Sequence, residues 1–386
     1  SGATDAVNIG FPGGTPSPNT NSAINFTNGG LDITTTGGAG FEAIGGPAIL
    51  STVTVTGTGN KINSGGDGLI VVGTNVGGGG IAFDNISSAA TATGGGVVLN
   101  GVDLAGDVNI GGLTNTGAIG VTVAGVTGTG VVNFTGTTNI DVNGNGLNFS
   151  GQVGTVNIAN VASSSLTIDG GSTGISFNGV MGGTVNIGGN GGSAKIGATT
   201  STIDRAIGID GNTGGTLNYN GSINVSGGTA FAGSVVGVTF SDLATLNLSG
   251  SVTSTTSSTA FDFAGADGTY TISSTIDHTG GTGVHVDGFS EGTITFSGTS
   301  KTFDTGTNNA VVKDPSGNPG LGQGTGTLAF TNGGLVITTS SGAGFTASTF
   351  GAGTVSVSGT SNTITTGTGT ALDLDGATVG AGGINF

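Results

Sequence analysis

Residues 131–158 read VVNFTGTTNIDVNGNGLNFSGQVGTVNI, and this stretch decides the fold. It opens on the triplet Val132-Asn133-Phe134 and closes on Val156-Asn157-Ile158, an apolar, small polar, apolar pattern that returns after 24 residues. Between the two lie a turn at Thr135-Gly136 and another run of the same kind, Leu147-Asn148-Phe149. In an extended chain the first and third residues of such a triplet point one way and the middle one points the other. Each triplet is therefore a short strand with one buried and one wet side.

The triplet recurs along the whole chain. It appears at Ile24-Asn25-Phe26, Val53-Thr54-Val55, Ile81-Ala82-Phe83, Val108-Asn109-Ile110, Val185-Asn186-Ile187, Leu217-Asn218-Tyr219, Leu246-Asn247-Leu248 and on to Ile384-Asn385-Phe386, with a mean spacing near 28 residues over fourteen copies. A second series, Leu31-Asp32-Ile33, Leu166-Thr167-Ile168, Ile223-Asn224-Val225 and Leu335-Val336-Ile337, falls midway. A third, with Leu69-Ile70-Val71, Val121-Thr122-Val123, Phe261-Asp262-Phe263 and Val284-His285-Val286, precedes the next triplet. Three short strands and three Gly-rich corners per repeat predict an all-β parallel β-helix, a right-handed β-solenoid of about 14 rungs. A single rung cannot bury its apolar side chains, whereas stacked rungs share one continuous core. Asn recurs at the outward middle position, where equivalent amides can form ladders along the stack.

Composition agrees. The 386 residues include 86 Gly, 6 Pro, no Cys and no Trp, and only 7% are charged. Scarce Pro rules out a collagen helix. Abundant Val, Ile and Leu argue against disorder, and scarce Glu, Lys, Gln and Met argue against helices. A net charge of −16 with five basic residues disfavours nucleic acid, whose phosphates require a basic surface. No apolar run approaches the length of a membrane helix, so membrane insertion is not expected. Without Cys there are no disulfides and no thiolate chemistry.

A longer repeat is superimposed. INFTNGGLDITTTGGAGF at 24–41 returns as LAFTNGGLVITTSSGAGF at 328–345, an offset of 304 residues. The match continues, with Val76, Ile81 and Phe83 answered by Val379, Ile384 and Phe386. Residues 1–22, with Pro12, Pro16 and Pro18, read as an extension or linker. Residues 23–386 read as one solenoid, in which 328–386 repeats 24–83 and starts a second module. Segment 313–326, with Pro315 and Pro319, reads as a loop. Ile24, Phe26, Ile384 and Phe386 lie on the outermost rungs, where end-to-end assembly with another copy or a further solenoid module is expected.

Phrases such as TGTGNKINSGGDGLIVVGTNVGGGGIAF (56–83) and TGTALDLDGATVGAGGINF (368–386) resemble the large bacterial surface and secreted proteins built from β-strand repeats. The resemblance covers most of the chain. It implies a right-handed parallel β-helix displayed outside the cell, with roles like those of adhesins and autotransporter passengers. It carries over no catalytic residue, and the filamentous-haemagglutinin repeat is not closely matched.

Candidate chemistry is sparse. Polysaccharide-active enzymes on β-helices need clustered carboxylates for acid–base work, but here Asp residues are scattered and Arg205 is the one Arg. No enzymatic activity is expected, and no cofactor. The best titratable cluster is His278, His285 and Asp287, with Asp277 and Glu291 nearby: either a surface metal site or exposed polar residues on a rung. Gly65-Gly66-Asp67-Gly68-Leu69 is a fragment of a calcium-binding nonapeptide without tandem copies, consistent with incidental Ca²⁺ only. A sharper pattern is the Thr preceding many triplets. Thr155 with Asn157, Thr184 with Asn186, Thr216 with Asn218 and Thr245 with Asn247 predict an outward array two columns wide, like the faces of ice-binding solenoids and equally suited to a glycan. The alternative is that Thr and Asn are simply good exposed strand residues.

Overall fold

The computed structural model describes residues 4–10, 22–45, 51–89, 95–197, 203–211, 214–234, 244–287, 290–314, 325–348 and 353–386. The chain is an all-β parallel solenoid of about 12 turns of roughly 27 residues, with no helix among the described residues. The sequence predicts 14 rungs because every triplet is counted. Fourteen triplets bound only thirteen intervals, so the count of triplets exceeds the count of turns. Most of the two segments expected to be an extension and a loop, 1–22 and 313–326, lies outside the described residues. Val7–Ile9, within the expected extension, is already a strand paired in parallel with Phe41, Glu42 and Ala43.

The chain divides into two compact units, 1–176 with 180–194, and 177–179 with 195–386. In the first, three parallel ladders make three faces. The first face holds the triplets: Ala23–Phe26, Thr52–Val55, Asn75–Phe83, Val108–Ile110, Val131–Phe134 and residues 155–158. The second face runs through Asp32–Thr35, Lys61–Ser64, Asn85–Ser88, Leu113–Asn115, Thr137–Asp141 and Ser165–Asp169. The third runs from Phe41–Ile44 through Leu69–Val72, Gly95–Asn100 and Ile119–Ala124 to residues 147–150.

The second unit repeats this plan. Its first face takes residues 216–219 and 245–248, Thr269–Ile272, Thr293–Phe296, Thr327–Phe330, Thr354–Val357 and Thr378–Ile384. Its second takes residues 222–225 and 251–256, Thr275–Gly280, Lys301–Gly306, Leu335–Thr339 and Thr363–Thr366. Its third takes Arg205–Asp210, Thr229–Ser234, Phe261–Phe263, Val284–Val286, Val311–Lys313, Phe345–Ala347 and Leu372–Asp373.

Most inward positions are apolar and closed to solvent: Val53, Val55, Ile81, Val108, Ile110, Val132 and Val156 are at most 1% exposed. The inward aromatics stack in part. Phe296 and Phe330, on successive rungs, lie face to face at 4.9 Å and 9°. Others meet edge-on across faces, as Phe41 does with Phe26 at 5.6 Å and Phe83 at 5.8 Å. Burying each such side chain contributes about 1.5–3 kcal/mol, which is why every inward position is filled.

One register differs from the sequence expectation. Ile81 does not sit opposite Val53; Val76 does, and Ile81 sits opposite Val55. Residues Gly77–Gly80 bulge out between them, and Gly80 turns the chain back at φ 79°, a conformation that side chains resist. The sequence gives no warning of this bulge, because the four glycines carry no side chain to mark the change of phase between Val76 and Ile81. The same break recurs in the other unit, where Val379 pairs with Val355, Ile384 with Val357, and Gly383 has φ 69°.

Candidate interaction surfaces

The outward middle positions of the first face form hydrogen-bonded files. In the first unit Asn133 Nδ2 donates to Asn109 Oδ1, Asn157 to Asn133 and Asn186 to Asn157, each at 3.0 Å. In the second, Asn247 donates to Asn218 at 2.7 Å. All these amides point the same way along the stack, so each bond polarises the next. Thr155 and Thr184 flank this file in the first unit.

In the second unit the flanking column is continuous. Thr216, Thr245, Thr269, Thr293, Thr327, Thr354 and Thr378 stand opposite one another, rung after rung. Beside them run Asn218, Asn247, Thr271, Thr295, Ala329 and Ser356, then Asn220, Ser249, Ser273, Ser297, Thr331 and Ser358. None of these outward residues is charged, although the chain carries −16. The face is thus a grid of hydroxyls and amides spaced about 4.8 Å between rungs and about 6.7 Å along each strand. Thr378 extends the column past the rung where the triplet pattern loses register.

The His278, His285 and Asp287 cluster is not assembled. His278, expected in an approach loop, lies in strand Thr275–Gly280 and points inward, 0% exposed. Its Nε2 is 2.8 Å from the Gly281 carbonyl, which can only accept, so Nε2 carries the proton and Nδ1 accepts from the Ser254 hydroxyl at 3.2 Å. Burial lowers its pKa. His285 is the opposite case. It points outward on the third face, with Nδ1 2.7 Å from Asp262 and Nε2 3.2 Å from Asp314. Both partners are carboxylates, so both nitrogens carry protons. The Asp262 hydrogen bond leads the effects that raise its pKa to about 9. Asp287 turns away to accept from the Gly265 amide and the Ser290 hydroxyl.

Asp67, from the calcium-repeat fragment, lies within electrostatic reach of Asp5, as does Glu42; burial leads the rise in pKa of Asp67 and Glu42. Among the described residues no group of three or more His, Asp or Glu is placed to hold a metal ion.

The most specific polar groups face inward, where the sequence reading placed none. At the corner after the second face, Thr305 Oγ1, Thr339 Oγ1 and Thr35 Oγ1 each donate to the carbonyl three residues on, at 2.6–2.7 Å. His278 makes the equivalent bond. A signal was present: a polar residue at an inward position three residues before Gly or Asn. At the corner before the second face stands Asn60, 1% exposed. Its Oδ1 accepts from Leu31 N–H at 3.0 Å, and its Nδ2 donates to Ala82 O at 3.0 Å and, at longer range, to Thr56 O and Gly57 O. Asn362 makes the corresponding four bonds to Leu335, Asn385, Ser358 and Gly359. Lys301 plugs the same corner with an ammonium. It is 0% exposed and donates to the carbonyls of Gly298, Thr331 and Gly333.

Ile24 and Phe26 lie half-buried on one open edge, and Ile384 and Phe386 on another, with Phe386 42% exposed. Faces, plugs and edges together define a parallel β-solenoid built from repeated rung blocks. Comparison with known protein families, curated proteins and solved structures finds no match for this chain.

Proposed function

We propose that this chain is a structural protein of the bacterial cell surface or extracellular matrix, a solenoid that extends by rung-on-rung joining to further solenoid units. The observation that carries this reading is the repeated block. Residues 24–83 and 328–386 share their sequence pattern, their corner Asn, their bulge and their register break. A fold made of interchangeable blocks lengthens without new design, because each block contacts only its neighbours. Catalysis, cofactors and nucleic acid play no part in this mechanism. Immunogold electron microscopy of the producing cells, using antibody against the folded chain, tests it. Label along extended extracellular or surface material supports the reading; label confined to the cell interior overturns it. A stalk or passenger of a non-polymerising adhesin shows label at the surface without extended material.

A second reading rests on the uncharged grid of the second unit. A flat array of Thr, Asn and Ser with no charge suits an ordered, neutral surface, either ice or a crystalline glycan. Thermal hysteresis or co-sedimentation with an insoluble glycan, lost on Thr216→Lys or Thr245→Lys, supports it. Neither activity in the parent chain removes it.

A further inference from the structure

The sequence holds eight Asn-Gly pairs. Such a pair is chemically fragile, because the Gly amide nitrogen can attack the Asn side-chain carbonyl carbon with no side chain of its own in the way. What the fold does with that nitrogen decides the fate of each pair. In four pairs it is engaged. Gly29 N–H donates to Thr56 O at 2.9 Å, Gly101 to Ala124 O at 2.8 Å, Gly144 to Ala118 O at 2.9 Å and Gly333 to Ser358 O at 3.1 Å, each across the gap to an adjacent rung. Three more pairs, Asn145-Gly146, Asn178-Gly179 and Asn220-Gly221, lie inside strands of the parallel ladders, where backbone amides are committed to pairing.

The eighth pair, Asn190-Gly191, is placed differently. It forms the tip of a tight turn between the strand that ends at Ile187 and the strand Ser193–Ile196. Gly189 and Gly192 face each other across it in an antiparallel bridge, closed by Gly192 N–H donating to Gly189 O at 2.7 Å. Both central residues are left-handed, Asn190 at φ 46° and Gly191 at φ 87°. This is the two-residue turn for which Asn-Gly is the preferred pair. Gly191 N–H has no acceptor among the described residues. The Asn190 amide is tethered by one long bond, 3.3 Å to Asn160 Oδ1. Side-chain exposure does not set the pair apart, since Asn28, Asn100, Asn143 and Asn332 are exposed as Asn190 is. The unengaged nucleophile does.

We propose that Asn190 is a self-modification site, converting without an enzyme to aspartate and isoaspartate while the stacked rungs shield the other pairs. Gly191 N gives its proton to hydroxide and bonds to Asn190 Cγ. The Cγ–Nδ2 bond breaks and ammonia leaves, which closes a cyclic imide. Water then opens the ring. Breaking the new bond to Cγ yields aspartate; breaking the original main-chain bond yields isoaspartate, whose chain runs through the former side chain. Nothing is oxidised or reduced, and water is the co-reactant. Either product puts a negative charge where Asn190 donated to Asn160, and isoaspartate lengthens the main chain of a turn built for two residues. The site is independent of the rung-joining reading above.

The test ages the full chain in mildly alkaline buffer and follows all eight pairs by peptide mapping, with electron-transfer fragmentation to separate isoaspartate from aspartate. Asn190 is expected to convert at least about 10-fold faster than Asn28, Asn100, Asn143 or Asn332, because their glycines must first break a contact between rungs. The same chain aged in guanidinium is expected to convert all eight at similar rates. A corner pair converting as fast as Asn190 in the folded chain overturns the proposal, as does an Asn190 that survives there while the unfolded chain converts. The folded ranking persisting in guanidinium also overturns it, because local sequence alone then sets the rates. Asn190→Gly suits the left-handed turn and removes the reacting side chain. It is expected to abolish the acidic species that accumulates on anion exchange of the aged parent, and persistence of that species in the variant refutes the assignment.

Discussion

Asn60→Leu probes the joint between rungs most directly, because the replacement keeps the side chain's size and removes its polarity. Asn60 ties three successive rungs, through Leu31, its own corner and Ala82. Two of its bonds, both 3.0 Å, are well formed, and the bonds of 3.3 and 3.4 Å contribute little. Losing them leaves an amide and a carbonyl without a partner, each costing about 1–3 kcal/mol. Burying the leucine recovers about 1 kcal/mol. The expected net loss is about 3 kcal/mol. Because a solenoid's stability is local, the loss is expected as faster exchange in 24–83 with little change in 244–314. Asn362→Leu is expected to cost the same, in 328–386. Hydrogen exchange with mass readout, alongside urea unfolding, measures both. A loss below about 0.5 kcal/mol, or one spread evenly over both units, refutes the reasoning.

Three further outcomes follow from buried and paired groups. In an NMR titration the two imidazoles separate, His285 titrating near 9 and His278 below 6.5, and Asp262→Asn brings His285 down; two curves near 6.5 refute both environments. The stability signs differ accordingly. His285, whose pKa is raised on folding, contributes stability fully below pH 6.5 and loses it as pH rises through about 9, by about 1 kcal/mol after screening of its half-exposed partners. His278, lowered on folding, makes the protein less stable as pH falls below 6.5. Lys301 is also lowered by burial, so its contribution improves as pH rises towards 10.5. Urea midpoints of Lys301→Met are expected to fall by the equivalent of about 2 kcal/mol at pH 7 and to lose that alkaline gain. Finally, Gly80→Val places a Cβ 2.3 Å from Asp107 O at positive φ, whereas Gly78→Ser meets nothing within 4 Å. The first is expected to cost more than about 2 kcal/mol and the second almost nothing by thermal unfolding; equal effects refute the bulge geometry.

The three-faced architecture was legible because it depends on side-chain alternation alone. Val132-Asn133-Phe134 and Val156-Asn157-Ile158 pair residue for residue, as their spacing implies. The Asn file was legible for the same reason, since equal positions on parallel strands must stack. The bulge was not, because Gly77–Gly80 carry no side chain to mark the change of phase between Val76 and Ile81. Nor was the role of His278. Alternation from buried Ile276 two residues earlier places it inward, as do its file neighbours Ser254 and Phe303, but a polar side chain flanked by Asp277, Thr279 and Gly280 reads as a loop. Polar residues that close a corner from inside carry the composition of a surface loop, so pattern alone assigns them outward.

Those inward groups also resolve a difficulty that alternation leaves open. Rungs as alike as these can slip by a whole turn and keep every apolar residue buried, since one Val-Asn-Ile strand accepts another. Period two fixes which side is inside but not which rung is the neighbour. The plugs do fix it. Lys301 requires the carbonyls of Gly298, Thr331 and Gly333, and a slipped rung leaves its ammonium buried without them, a loss of several kcal/mol. Our hypothesis is that these features specify rung order in addition to the local stability they contribute. Replacing Asn60, His278, Lys301 and Asn362 together by Leu, Phe, Met and Leu is then expected to leave a folded β protein whose rungs are not uniquely ordered. NMR spectra of that variant are expected to show several resonances per amide around the former plugs. A single set of resonances in the parent register refutes the hypothesis, and assigns rung order to the apolar core alone.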